Sequence, residues 1–302
     1  MASQPTIIGT GLSGMVGSRL VELFSDKYRF INLDLTTNID ITDAVAVNQA
    51  LSQHQPASPA DGPTTVIHLA AFTDVSKAYE EKDNKQGMVY QVNTEGTRNI
   101  AQACQKYGHY LIHISTDFVF DGEKETPYTE ADKPNPIEWY GQTKFWAEQA
   151  VQKSNCQHVI VRIAFPFRSH FPQKLDLVRN ILQKLKTNSL YPMFTDQIIT
   201  PTFIDDICQA LHVFINKKPT GIYHLVGSTS LSPYQLAQKI NQVFNLKADI
   251  KPSSFKDFIK QNPRPRQQFL KISNQKLKTD LNITMKGIDS VLKVLKDQVV
   301  LA

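Results

Sequence analysis

Tyr140 and Lys144 stand four residues apart in Tyr140-Gly141-Gln142-Thr143-Lys144, a spacing that puts a phenol and an ammonium on one face of a helix. A phenol with its ordinary pKa near 10 exchanges protons poorly at neutral pH unless a nearby cation stabilises the phenolate, and Lys144 is the residue type that does so. About 24 residues upstream, a β-rich run ends in Ser115-Thr116-Asp117. A hydroxyl there, from Thr116 or Ser115, can hydrogen-bond a substrate carbonyl while Tyr140 donates its proton. Tyr140 and Lys144, with the hydroxyl of Thr116 or Ser115, are therefore the candidate catalytic residues.

A second group lies at the amino end. The run Thr6 to Gly9 leads into Gly9-Thr10-Gly11-Leu12-Ser13-Gly14-Met15-Val16-Gly17. Gly11, Gly14 and Gly17 at the junction of a strand and a helix let the backbone turn tightly and approach a pyrophosphate, whose charge meets the helix N-terminus. Asp34, seventeen residues beyond Gly17, ends a second strand. There a carboxylate can bond the adenosine ribose hydroxyls and repel a 2′-phosphate, which favours NAD(H); Arg19 in the first helix leaves NADP(H) open. Asp40-Ile41 can place a carboxylate at an adenine amino group, or Asp40 or Thr42 caps the next helix.

These groups require a parallel sheet to present them. Short β-rich runs at Thr6 to Gly9, Arg29 to Leu33, Thr65 to Leu69, Tyr110 to Ser115 and Val159 to Ile163 alternate with helical patterns at Gly14 to Ser25, Met88 to Tyr107 and Tyr140 to Gln152. That order predicts an α/β fold with a Rossmann-type, doubly wound parallel sheet, whose ligands sit at the strands' carboxyl ends. Gln55 to Pro63 reads as a surface loop and Gly221 to Val226 as a strand returning to the sheet. The expected domains are 1–165 plus about 199–226 for the dinucleotide, and a smaller, discontinuous C-terminal substrate lobe of about 166–198 plus 227–302.

Composition narrows the classes. The chain has 302 residues, 41% of them apolar, which suits a packed core and excludes disorder. No apolar stretch approaches the roughly 18 residues of a membrane span, and Met1 to Gly14 lacks a basic segment before a long apolar core. Cys104, Cys156 and Cys208 form no CxxC pair, so neither a disulfide framework nor a thiolate zinc site is expected, and a cytoplasmic location is. No carboxylate cluster has the spacing of a metal site. Residues 1–150 carry 11 basic and 19 acidic side chains, residues 151–302 carry 22 and 9. The basic half lacks dense runs with interleaved aromatics, so an anionic small molecule is expected there rather than nucleic acid.

Taken together, the motifs resemble the extended short-chain dehydrogenase/reductases over essentially the whole chain. They comprise Thr10 to Gly17, His68-Leu69-Ala70-Ala71, Asn93 to Asn99 and the Tyr140/Lys144 pair. Within that family, Ser115 to Gly122, Pro127 to Glu130, Asp196-Gln197 with Pro201-Thr202, and Arg264-Pro265-Arg266 look like the dTDP-4-dehydrorhamnose reductases. The chain departs from them at Val75 to Glu80, at Phe145 to Glu148 and at Ile198-Ile199. The resemblance implies an NAD(P)H-dependent reductase of a nucleotide-linked 4-keto-6-deoxy sugar, with Thr116, Tyr140 and Lys144 as the catalytic triad and Lys144 also bonding the nicotinamide ribose. It implies a cofactor lining of Gly11, Gly14, Gly17, Asp34, Asp40, Ile41, Ala70 and Ala71. Substrate contacts would come from Ser115 and Asp117, with Arg264 or Arg266 on the diphosphate. A homodimer through helices near 88–107 and 140–152 is implied as well. A non-catalytic NAD(P)-binding subunit, like that of methionine adenosyltransferase, and a nucleotide-sugar epimerase stay open as alternatives.

Overall fold

The computed structural model describes residues 4–55 and 62–300. Most of the loop expected at Gln55 to Pro63 lies outside the described residues. The first unit comprises residues 1–119, 138–162 and 208–223, the second residues 120–137, 163–207 and 224–302. Residues 120–137 and 199–207 thus group by contact with the second unit.

In the first unit the order is β1 (Thr6–Thr10), α1 (Met15–Phe24), β2 (Arg29–Asn32), α2 (Ala44–Ser52), β3 (Thr65–His68), α3 (Val75–Glu80), α4 (Met88–Tyr90), α5 (Thr97–Tyr107), β4 (Tyr110–Thr116), α6 (Trp139–Lys153) and β5 (Gln157–Ile163). The strands line up as β2-β1-β3-β4-β5, with Gly221–Leu225 sixth at the far edge. β1 pairs in parallel with β2 and β3, and β3 in parallel with β4. Parallel strands covered by crossover helices are buried on both faces, which is why β3 reads Thr-Val-Ile-His and β4 Tyr-Leu-Ile-His-Ile-Ser-Thr with every residue buried. Ile8, Val66, Leu111 and Ile160 of the strands pack with Val47 and Leu51 of α2 and Ile100 and Cys104 of α5. The expected doubly wound sheet is present, and its strand order changes direction at β1, where β3 lies on the side opposite β2.

The helix expected from Met88 to Tyr107 is interrupted. Between α4 and α5, Gln91–Gly96 forms a π-helical turn, a wider geometry that inserts one extra residue per turn. Gly96 closes the turn where a Cβ would come within 2.7 Å of Ile41 Cδ1, so the small residue lets this segment lie against Ile41.

The second unit has its own core. Val178, Ile181, Leu182 and Leu185 of helix Leu177–Lys186 pack with Leu236, Ala237 and Ile240 of helix Pro233–Val243 and with Ile288, Val291, Leu292 and Leu295 of the C-terminal helix. Two short parallel strand pairs, Pro166–Phe167 with Thr202–Phe203 and Met193–Phe194 with Pro252–Ser253, complete it. Cys104, Cys156 and Cys208 are buried thiols without disulfides.

Candidate active site

The glycine loop is built as its spacing requires. Gly11 adopts φ +69, and a Cβ there would lie 2.8 Å from the Ala70 nitrogen; only glycine accepts that backbone and that approach. Gly11 thereby meets Ala70, which follows β3, while Gly14 is the N-cap of α1 with no side chain closing the helix end and no acidic residue in its first turn. Such a helix end presents backbone N–H groups and a partial positive charge suited to phosphate. A Cβ on Gly17 would lie 2.5 Å from Leu12 Cα, so this glycine serves the packing of helix on loop.

Asp34 closes the second strand region and accepts hydrogen bonds from the Ser13 hydroxyl at 2.7 Å and the Thr36 amide at 2.8 Å. Burial alone would raise its pKa, but the bonds from Thr36, Ser13 and Asn32 outweigh it and hold the carboxyl at about 2. The carboxylate is therefore tied to the glycine loop and stays ionised. Asp40 accepts from the Thr42 amide at 2.9 Å and its hydroxyl at 2.8 Å. Neither residue caps α2, contrary to one reading of the sequence. Asp43 does, accepting from the Val45 and Ala46 amides, because it stands immediately before the first helical residue where a carboxylate reaches those N–H groups. The Ile41 side chain is buried in the core, and its carbonyl accepts from the Asn99 amide at 3.0 Å. Arg19 pairs with Glu22 at 3.0 Å on α1, and Ala71 is partly buried beside Ala70.

Thr116 ends β4, and Tyr140 and Lys144 lie on the first turns of α6; all three are buried. Burial drives the Tyr140 phenol well above its ordinary pKa; a hydrogen bond with Thr116 opposes this, and the charges of Asp117 and Glu138 reinforce it. The expectation that Lys144 holds the phenol's pKa down is not met in this arrangement. The Lys144 ammonium donates instead to the Ile114 carbonyl at 2.8 Å. Its own pKa is lowered to about 8 by burial, against the pull of Glu148. The phenol is consequently protonated, the state a proton donor needs.

Ser115 does not join Thr116 at this site. Neighbouring strand residues point to opposite faces, and the Ser115 hydroxyl donates to Glu148 Oε1 at 2.6 Å. Glu148, from the divergent Phe145 to Glu148 segment, is also gripped by Arg162. Asp117 is 1% exposed, accepts the Thr116 hydroxyl on Oδ1 at 3.2 Å and has no partner for Oδ2. Burial lifts its pKa to about 7, although the bond from Thr116 works the other way.

Sequence reasoning gave Asn93 no role, yet it braces the site. Fully buried in the π turn, it accepts from the Phe72 amide at 2.7 Å and donates to the Phe72 carbonyl at 3.2 Å and to the Thr143 hydroxyl at 3.1 Å. The loop after β3 is thus tied to the residue preceding Lys144. Only the placement of Asn93 within the Asn93 to Asn99 motif hinted at it. His68 is a second such brace, joining Thr10 at 2.6 Å and Thr97 at 2.9 Å.

Arg264 and Arg266 lie together in the second unit, on a groove of about 610 Å³ lined also by Ile137, Lys256, Ile259 and Lys260. The Arg266 guanidinium sits 5.1 Å over the Phe258 ring. Lys256 and Lys260 add positive charge that the sequence pattern did not single out, though Lys260 is paired with Asp257 at 2.8 Å. Among the described residues no group of three or more His, Cys, Asp or Glu side chains is placed to hold a metal ion, and no helix is long and apolar enough to cross a membrane.

A Rossmann-type sheet with a glycine loop after its first strand, and Thr116 beside a Tyr-x-x-x-Lys helix at another strand end, defines a nucleotide-binding protein of the extended short-chain dehydrogenase/reductase type. The family model described as the RmlD substrate binding domain matches residues 5–298, and the chain belongs to that family. It is 29% identical over 280 residues to the dTDP-4-dehydrorhamnose reductase of Streptomyces griseus, covering 90% of this chain and 88% of that protein. It is 27% identical over 278 residues to the probable low-salt glycan biosynthesis reductase Agl14 of Haloferax volcanii, covering 88% and 89%. The crystal structure of dTDP-4-dehydrorhamnose reductase from Bacillus anthracis in complex with NADP superposes with a TM-score of 0.86 at 27% identity, over 99% of each chain.

Proposed function

We propose that the protein is an NAD(P)H-dependent reductase of a nucleotide-linked 4-keto-6-deoxy sugar, acting as the dTDP-4-dehydrorhamnose reductases do. The observation that carries this reading is the burial of Tyr140 and Lys144 on α6 together with Thr116 at the end of β4, in a chain that matches the reductase family from residue 5 to residue 298.

A nicotinamide cofactor fits the residues present. The glycine loop and the bare end of α1 suit its pyrophosphate, Asp34 its adenosine ribose, and Ala70 and Ala71 line the approach from β3. The reduced nicotinamide supplies the hydride that the carbonyl carbon takes up. Tyr140 gives its phenolic proton to the developing alkoxide, and Thr116 orients the carbonyl by its hydroxyl. Lys144 holds the nicotinamide ribose. Asp34 favours NADH by repelling a 2′-phosphate. The basic groove with Arg264 and Arg266 receives the diphosphate. The first unit, residues 1–119, 138–162 and 208–223, makes the dinucleotide lobe and the second unit the substrate lobe. A homodimer in the cytoplasm completes the reading.

The test is steady-state reduction of a panel of dTDP-, UDP- and GDP-linked 4-keto-6-deoxy sugars with NADH and NADPH, followed at the nicotinamide absorbance. Oxidation of cofactor that depends on one of these sugars is expected. Tight cofactor binding with no turnover on any of them would turn the assignment toward a non-catalytic subunit.

A further inference from the structure

We infer that Asp117 is the proton reservoir that restores the Tyr140 phenol in each turnover, passing its proton through the Thr116 hydroxyl. This rests on the reductase reading above and assigns the residue a task beyond contact with the sugar.

The geometry is a three-member chain. The phenol of Tyr140 is hydrogen-bonded with Thr116, and Thr116 Oγ1 lies 3.2 Å from Asp117 Oδ1. The other carboxyl oxygen, Oδ2, is buried without a partner. An ionised carboxylate without a counter-charge is costly in such surroundings, and the usual resolution is to take up a proton. No cation contributes to the shift at Asp117, and the Lys144 ammonium is committed to the Ile114 carbonyl. Burial outweighs the hydrogen bonds from Thr116 and from the Asp117 and Phe118 backbone and brings the pKa to about 7, so the neutral carboxyl is populated at neutral pH.

The need for a reservoir follows from the burial of the phenol. Once Tyr140 has given its proton to the oxygen of the reduced carbonyl, the phenolate left behind is disfavoured for the same reason that its pKa is raised. The proton balance is then simple. The Thr116 O–H bond breaks as its proton joins the phenolate; the Asp117 carboxyl then turns its O–H to the Thr116 oxygen it had accepted from, that O–H bond breaks as the proton joins the Thr116 oxygen, and Asp117 is left as a carboxylate. Water that enters as product leaves returns the proton to Asp117. Asp117 acts through Thr116, so it is a positioning and relay residue rather than one that meets the reacting atoms.

Two measurements test this. In stopped-flow oxidation of NAD(P)H with a sugar that the wild type reduces, Asp117→Asn is expected to show a burst of one cofactor per site that is faster than its own later turnovers. It should then continue at least about tenfold more slowly than wild type. An Asp117→Asn progress curve with no burst, or a steady state within about twofold of wild type, would overturn the relay. Infrared spectra of the wild-type protein at neutral pH, which need no turnover, should show the C=O stretch of a protonated buried carboxyl that shifts in heavy water and is missing from Asp117→Asn. A wild type without that band refutes the reservoir even if the sugar is reduced. A wild type that shows the band but reduces no sugar refutes the reductase reading, and the relay falls with it.

Discussion

Arg162 grips Glu148 through two parallel hydrogen bonds, Nε to Oε1 at 2.9 Å and Nη2 to Oε2 at 2.7 Å, with side-chain exposures of 1% and 2%. The pair joins β5 to α6 one turn beyond Lys144, and Ser115 adds a third bond to the carboxylate. Such a pair is weak evidence of net stabilisation, because desolvating two charges offsets their attraction, yet breaking it leaves one charge stranded. Arg162→Met should therefore destabilise the protein by about 3 to 5 kcal/mol, while the double variant Arg162→Met/Glu148→Leu should recover much of that loss. Urea denaturation of the three proteins measures it. A double variant as unstable as the single one would mean that the ion pair itself, rather than the stranded charge, carries the stability.

Asp34 controls a second property. Its carboxyl, held at about 2, is ionised at every working pH. A 2′-phosphate placed beside it meets a repulsion on the order of 1 to 3 kcal/mol in a partly desolvated site. NADH is expected to bind more tightly than NADPH, and Asp34→Asn to narrow the gap; fluorescence titration with both cofactors reads the difference. NADPH bound tenfold tighter than NADH would refute this view of Asp34 and direct attention to Arg19. The same depressed pKa has a stability consequence. The folded carboxyl titrates below its unfolded value of 3.8, so the stabilisation is complete above pH ~4 and is lost as the pH falls toward 2.

Much of this site was legible because parallel α/β folds place chemistry at fixed points in the chain. The glycine loop follows β1, Asp34 follows β2, Ala70 follows β3 and Thr116 ends β4, and each point is marked by a run of β-rich residues. What stayed hidden depends on contacts between residues far apart in sequence. The partner of Ser115 is 33 positions away, and nothing local says that its hydroxyl turns toward Glu148 rather than a substrate. The π turn at Gln91–Gly96 escapes a 3.6-residue periodicity, and with it the bracing role of Asn93. The environment of Tyr140 was misjudged for a related reason. The spacing shows that Lys144 shares a helix face with it but not that the Ile114 carbonyl competes for the ammonium. The capping of α2 by Asp43 rather than Asp40 or Thr42 is a boundary error of a single residue type in a run rich in Asp and Thr.

The basic groove of the second unit invites a direct test. If Arg264 or Arg266 makes a charge-assisted bond to a diphosphate, changing it to Ala should weaken nucleotide-sugar binding by about 1.5 to 3 kcal/mol and leave cofactor affinity unchanged. Isothermal titration with dTDP alone and with dTDP-sugars checks both. Raising the salt concentration should weaken wild-type binding more than that of the variants, since part of the attraction is screened. Two single variants that both bind as wild type would mean that the arginines only stack on surfaces such as the Phe258 ring.

Tyr140 and Lys144 should fail in different ways when changed. Tyr140→Phe keeps the ring in its edge contact with Phe118, 5.7 Å between centroids, and removes only the proton that the phenol carries. Its kcat is expected to drop about 10²- to 10⁴-fold with cofactor affinity unaltered. If Lys144 holds the nicotinamide ribose as proposed, Lys144→Ala removes that charge, and both kcat and cofactor affinity should fall. The pH adds a sharper distinction. Because burial brings the Lys144 pKa to about 8, the ammonium is present below that value and lost above it, and wild-type cofactor binding should weaken as the pH rises through 8. Lys144→Arg, whose guanidinium stays charged, should bind cofactor with the same affinity on both sides of that midpoint, however well or badly the longer side chain fits. A wild-type affinity that is flat from pH 7 to pH 9 would show that the ammonium does not hold the ribose, and a Tyr140→Phe variant as fast as wild type would remove the phenol from the chemistry altogether.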